Sequence, residues 1–153
     1  MRKGNSIKGL KVIGDEGEDL GIVTDLIFDH HNNKCIGLIL SEKVDGSARY
    51  PQVLPWQEIA IIGRDVVMIR SATSVIRPED DTKVHAVLQR KIYSTTTVIH
   101  SEDGSQLGTF GEIYLDVTGR VVGYEVQGGF VADTISNKYY LGAESSRESH
   151  HDN

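Results

Sequence analysis

The sequence has few of the residues that build disulfides, rigid turns or membrane spans. Among 153 residues there are one cysteine, three prolines and one tryptophan. A single cysteine, Cys35, cannot form an internal disulfide and cannot supply a thiolate zinc site alone. No apolar run approaches the roughly 18 residues of a membrane helix, and the first residues lack the apolar core of a signal peptide. We therefore expect a cytoplasmic protein without a membrane span.

Basic residues are also few relative to acidic ones. Lys and Arg number 16 against 22 Asp and Glu, which gives a formal net charge of -6. This balance argues against general binding to a phosphate backbone, so nucleic acid is not the expected partner. The chain is 39% hydrophobic and 25% charged, which is sufficient for a folded core in one domain or two small ones.

The chain contains an internal repeat. The pairs Leu20-Gly21 and Leu107-Gly108 are 87 positions apart, and Gly17 and Gly104 keep that offset. Several matching blocks in the same order indicate a duplication. The other matched blocks are Leu26-Ile27-Phe28-Asp29 with Ile113-Tyr114-Leu115-Asp116, Cys35 to Leu40 with Val121 to Val126, and Val53-Leu54 with Tyr140-Leu141.

Each copy has the pattern of short β-strands joined by turns. Asp15-Glu16-Gly17, Asn32-Asn33-Lys34 and Gly63-Arg64-Asp65 are turn signals, and apolar residues roughly alternate between them. Pro51 and Pro55 indicate an edge or irregular segment, because proline cannot donate to a central ladder. Several short strands at this spacing predict a small barrel.

A short amphipathic helix is predicted between the copies, over residues 78–90. Pro78 suits a first helical position, acidic residues follow it, and Val84, Val87 and Leu88 fall on one face. We expect this helix to pack against one barrel and to connect the two.

The combined pattern resembles the PRC-barrel family, the small β-barrel of the photosynthetic reaction-centre H subunit and of the ribosome maturation factor RimM. The resemblance lies in residues 17–21, 25–29, 54–59 and 62–67 of the first copy, and in residues 104–108, 111–116 and 139–141 of the second. It implies an all-β fold with two small PRC-barrel-like barrels joined by a short helix. Members are adaptor or assembly modules without shared catalytic residues.

The second copy departs from the family pattern at its end. The predicted division is a first copy at residues 1–75, a linker with the helix at 76–91, an incomplete second copy at 92–144 and a polar, disordered tail at 145–153. The closing strands of the second barrel are therefore expected to be missing. A strand from another copy of the chain, a different partner or the linker helix could cover the resulting edge.

The resemblance implies a non-enzymatic adaptor of a bacterial cell that mediates protein–protein association. The partner is an unidentified protein, or a second copy of the chain bound through the second module. One alternative is a ribosome- or RNA-associated factor of the maturation type, and another is a metal-binding protein or enzyme. No catalytic residue, cofactor or metal ligand is predicted.

Few residues are candidates for chemistry. Cys35 aligns with Val121, which indicates an inert core cysteine, and His30-His31 indicates a solvated turn better than a metal site. Aromatic residues are the best candidates for partner contact, because Trp and Tyr anchor protein interfaces, although they could instead seal the barrel end. The predicted partner-binding residues are Trp56, Tyr139, Tyr140 and Leu141.

Overall fold

The computed structural model describes residues 1–46, 48–89, 98–101, 106–126, 130–132 and 139–142. This part of the chain is mostly β structure, with one short α-helix, α1. The predicted tail at 145–153 lies outside the described residues. The elements are β1 Arg2–Lys3, β2 Lys11–Ile13, β3 Asp19–Asp29, β4 Lys34–Asp45, β5 Ala48–Pro55, β6 Ile59–Ile62, β7 Val66–Ile69, α1 Thr82–Gln89, β8 Val98–Ser101, β9 Gln106–Leu115, β10 Val121–Val126, β11 Phe130–Ala132 and β12 Tyr139–Gly142.

The first sheet has the strand order β5-β4-β3-β2-β7-β6. Neighbouring strands are antiparallel except β2 and β7, which pair in parallel. The β2–β3 turn has Gly17 at φ +84°, a conformation that glycine adopts without steric cost. At the β6–β7 turn the Gly63 amide donates to the Val66 carbonyl at 2.8 Å. These turns were predicted from the sequence and are confirmed, and of the two alternatives for the segment at Pro51 and Pro55, an irregular or an edge segment, the structure shows the edge strand β5.

Strands β3 to β5 are covered on both faces. Val23, Leu26 and Phe28 of β3 point into the main core, while Ile27 belongs to a second buried cluster. This alternation follows from the two-residue period of a strand. The second cluster lies between the sheet and α1; its members are Ile27, Ile36, Val53, Val84 and Val87.

Helix α1 is fixed by a cap at one end and by burial along one face. The Asp81 carboxylate accepts hydrogen bonds from the amides of Lys83 and Val84 at 3.0 and 3.1 Å. Val84 and Val87 are buried and Leu88 is partly buried against the same cluster. The helix therefore begins four residues after Pro78, which instead starts a 3-10 turn, Pro78–Asp80.

The second sheet has the order β11-β10-β9-β8-β12, and β1 pairs with β9. Strands β9 and β10 form an antiparallel hairpin, as β3 and β4 do. One predicted correspondence is wrong: Val53-Leu54 lies in β5 beside β4, whereas Tyr140-Leu141 lies in β12 beside β8. The pairing of the N-terminal strand β1 with β9 of this sheet was not predicted from the sequence.

The main core contains residues from both halves of the sequence. Ile113, Leu115 and Val121 are buried in the same cluster as Leu26 and Phe28. Burying a Val or Leu side chain contributes about 1.5–3 kcal/mol, so the β9–β10 hairpin stabilises the first sheet directly. Among the described residues, no helix is both long and apolar enough to cross a membrane.

Candidate functional site

The turns of the two hairpins pair with each other. The Cys35 amide donates to the Gly119 carbonyl at 2.7 Å, and the Val121 amide donates to the Asn33 carbonyl at 2.8 Å. The two bonds are reciprocal, because in each an amide near the start of one hairpin's second strand donates to a carbonyl in the turn of the other hairpin. The junction brings the starts of β4 and β10, and the turns that precede them, into contact.

The two turns use the same local chemistry. The Asp29 carboxylate accepts from the His31 amide at 3.2 Å, and the Asp116 carboxylate accepts from the Thr118 amide at 2.8 Å. The Thr118 hydroxyl also donates to Asp116, which lowers the pKa of that carboxyl. Each turn then has one residue in the left-handed region; these are Asn33 at φ +54° and Gly119 at φ +88°. Both turns are thus fixed by the same pattern, an Asp carboxylate that accepts from a backbone amide two residues later.

Trp56 lies beside this junction. It begins a 3-10 turn, Trp56–Glu58, directly after β5, and its half-buried indole packs on the main core. The ring covers Gly119, since a Cβ on that glycine would lie 2.7 Å from Trp56 Cε2. Trp56 also lines two neighbouring cavities. The structure therefore places this predicted contact residue partly in the core and partly at a surface.

The larger cavity, of about 430 Å³, is here named the apolar groove. It runs between β6 and the β9–β10 turn. Three of its apolar residues are largely exposed: Met1 at 87%, Ile61 at 59% and Val117 at 91%. Residues that line the groove include Met1, Ile7, Trp56, Ile59, Ile61 and Val117.

The smaller cavity, of about 230 Å³, is here named the basic pocket. It lies between β4, the start of α1 and the β9–β10 turn, and shares Trp56 with the apolar groove. The pKa of Lys34 is lowered, first because its side chain meets that of Lys83 and then because the two positive charges repel. Residues that line the pocket include Lys34, Trp56, Gln57, Asp81, Lys83 and Thr118.

The other predicted partner-binding residues lie in β12. The backbones of Tyr139, Tyr140 and Leu141 pair with Ser101, His100 and Ile99 of β8, and their side chains lie outside the described part of the structure. Their role in partner contact stays a prediction.

Apart from Trp56, the residues that line the two cavities were not predicted as functional from the sequence. Ile61 belongs to a short edge hairpin, and Val117 stands in a turn between Asp116 and Thr118, where an apolar side chain has little to pack on. An apolar residue in a polar turn was the available signal for the groove. The approach of Lys34 to Lys83 depends on the docking of α1, for which the sequence carries no local sign.

Cys35 is an interior thiol, as predicted. It is 2% exposed, and its Sγ lies 3.3 Å from the Gly37 carbonyl. Burial raises the pKa of the thiol to about 12, so little thiolate exists near neutrality. His30 stacks on Phe28 with ring centroids 5.8 Å apart. In the described part of the chain, no three His, Cys, Asp or Glu side chains are grouped to hold a metal.

Comparison with known proteins agrees with this architecture. The comparison with curated proteins gives no match. The model of one family, described as the PRC-barrel domain, matches residues 1–76, which span β1 to β7 and the 3-10 turn that follows. Domains of this family are generally non-catalytic. The family predicted from the sequence is thus confirmed for this segment: residues 1–76 are a PRC-barrel domain.

Proposed function

We propose that this protein is a non-enzymatic adaptor that binds an extended apolar segment of another protein in the apolar groove. The observation that carries the proposal is the exposure of Ile61 and Val117, which line the same cavity as Trp56. Clustered exposed apolar side chains mark interaction sites in soluble proteins. A tryptophan set in a cavity is the usual anchor of such a contact.

The edge of the first sheet supports an extended partner. β6 ends the strand order of that sheet, next to the groove. An edge strand can accept a further strand through its main-chain groups, while side-chain pockets select the sequence. The Arg2 guanidinium donates to the carbonyl of Ile62, the last residue of β6, at 3.3 Å. This carbonyl is therefore already engaged, and an added strand would pair with the residues of β6 before it.

We further propose that residues 92–144 are a second, incomplete PRC-barrel copy. The reciprocal bonds between the Asn33 and Gly119 turns support a two-fold relation between the copies. Tyr139, Tyr140 and Leu141 would then contribute a second association surface, through which two chains could pair. The linker at 76–91 separates the copies in sequence, although the β9–β10 hairpin shares the core of the first.

Site-specific photo-crosslinking in the source cell tests the groove. A photoreactive amino acid is placed in the full-length chain at position 61, at position 117 or, as a control, at the exposed Ile22 of β3. We expect positions 61 and 117 to capture the same protein and position 22 not to capture it. Capture no greater than from position 22 would refute the proposal, and a crosslinked dimer of the chain would assign the groove to self-association instead.

Binding of the captured protein is then measured with purified components. Ile61→Glu should weaken binding at least tenfold, because it places a charge among apolar groups. Ile22→Glu makes the same change on a strand outside the groove and should leave the affinity unchanged. Equal affinities for the two variants would contradict the assignment of the groove.

A further inference from the structure

The basic pocket gathers positive charge in an acidic protein. Lys34 at the start of β4 and Lys83 in the first turn of α1 both line it. Arg120 pairs with Lys34 through the backbone, and its charge also lowers the pKa of Lys34. The whole chain carries a net charge of -6. The fold therefore brings the positive charges of Lys34, Lys83 and Arg120 close together, although the net charge of the protein is negative.

The nearby carboxylates are engaged elsewhere. Asp81 lines the pocket, but one of its oxygens accepts from the amides of Lys83 and Val84. Asp29 favours the charged form of Lys34, but it accepts from the His31 amide and the Asn32 side chain. In the described part of the structure, neither Lys34 nor Lys83 has a carboxylate oxygen within salt-bridge distance. The repulsion between the two lysines is thus only partly offset.

The pocket has further groups suited to a ligand. The exposed Gln57 lines one wall and carries an amide that can donate hydrogen bonds. Trp56 and Val84 contribute apolar lining to the pocket. The amides of the first helical turn are already capped by Asp81, so the lysine side chains, not the helix end, are the cationic groups available to an anion.

We propose that the basic pocket binds a phosphate-type oxyanion, either inorganic phosphate or the phosphate group of a small ester. The ammonium groups of Lys34 and Lys83 hold the oxygens from two sides, and the Gln57 amide donates a third bond. Charge-assisted hydrogen bonds of this kind are the strong ones. The anion relieves the repulsion between the lysines and ties α1 to the β9–β10 turn. This inference is independent of the adaptor function.

Fluorescence provides a direct measurement, because Trp56 is the single tryptophan of the chain and lines the pocket. The full-length protein is titrated with inorganic phosphate or glycerol 2-phosphate, with chloride at equal ionic strength as reference. We expect a saturable change with phosphate and a rise in the melting temperature, since a ligand that binds only the folded state stabilises it. A stronger response to the ester identifies esters as the ligand class, and a stronger response to phosphate identifies the free ion.

Substitutions test whether phosphate binds in the basic pocket. Lys34→Gln and Lys83→Gln should each weaken phosphate binding at least tenfold. Lys3→Gln, in the exposed part of β1, removes a lysine outside the pocket and should leave binding unchanged. Without phosphate, Lys83→Gln should be as stable as the wild type, which shows that it folds. Identical responses to phosphate and chloride, or binding unaffected by both pocket substitutions, would overturn the proposal.

Discussion

The indole of Trp56 lies against the backbone of Gly119, so closely that a Cβ on the glycine would be 2.7 Å from Cε2 and 2.8 Å from Nε1. These residues are 63 positions apart and belong to different halves of the sequence. Gly119 also has φ +88°, which an L side chain rarely adopts. The contact therefore requires glycine for two separate reasons.

Gly119→Ala should destabilise the protein more than a positive φ alone explains. Strain in the left-handed region costs about 1–2 kcal/mol, and overpacking against a rigid ring adds about 1–3 kcal/mol. Gly17→Ala is a matched control, because Gly17 has φ +84° and open space around its Cβ position. Urea denaturation should show the larger loss for Gly119→Ala. Equal losses would mean that Trp56 moves aside without cost.

Cys35 should resist alkylation while the protein is folded. With a pKa of about 12, its thiolate fraction at pH 8 is on the order of 10⁻⁴, and the side chain is buried. Labelling by iodoacetamide should therefore follow global unfolding, and it should become fast in denaturant. Rapid labelling of the native protein would show that the β4 region opens locally.

The same thiol should make stability depend on alkaline pH. Its pKa is raised above the ordinary value of 9.0 in the folded protein, so ionisation of the thiol favours the unfolded state. The stability from this group is complete below pH 9 and is lost as pH rises from 9 to 12. Cys35→Ala should lower stability at pH 8 but flatten this decline. Parallel pH curves for the two proteins would contradict the raised pKa.

Local features of the fold could be predicted from the sequence. The turn at Gly17, the helix that buries Val84 and Val87, and the interior position of Cys35 each follow from residue type or spacing. Such features are governed by neighbours within a few positions, where periodicity and turn propensity carry the information.

Features that depend on long-range docking could not be predicted. The pairing of Arg2 in β1 with Leu115 in β9 joins the start of the chain to its second half. β12 pairs with β8, although its sequence matches a segment of β5. Both cavities form only where such distant segments meet, so apart from Trp56 and the apolar Val117 in its polar turn, their residues carry no pattern that marks them.

The Asp81 carboxylate should stabilise α1 and, through its negative charge, weaken the binding of an anion in the basic pocket. Asp81→Ala removes the cap of α1 and should cost about 1 kcal/mol. Asp81→Asn keeps a side-chain oxygen that can cap the helix but removes a negative charge from the basic pocket. We therefore expect Asp81→Asn to retain near wild-type stability and to bind phosphate more tightly, by thermal denaturation and fluorescence titration. Weaker binding by Asp81→Asn would contradict the electrostatic argument.

Glu112 should hold the N-terminal segment on the second sheet. Its carboxylate accepts from the Asn5 amide at 3.1 Å and from the Ile113 amide at 3.1 Å, and the side chain is buried. Glu112→Ala removes the acceptor of the buried Ile113 amide, which costs about 1–3 kcal/mol, and releases the hold on the exposed Asn5 amide. Glu112→Gln retains a side-chain oxygen that can accept and should restore much of the loss.

A second glutamate of the same sheet serves as the control. Glu125 accepts from the Tyr114 hydroxyl at 2.9 Å but is exposed, so Glu125→Ala should change the free energy of unfolding by at most about 0.5 kcal/mol. Hydrogen exchange at Asn5 separates local from global effects. If Glu112 anchors this segment, Glu112→Ala accelerates exchange at Asn5 more than in the β3–β4 core, because β1 and the turn after it detach first. Uniform acceleration across the protein would show instead that the carboxylate supports the whole core.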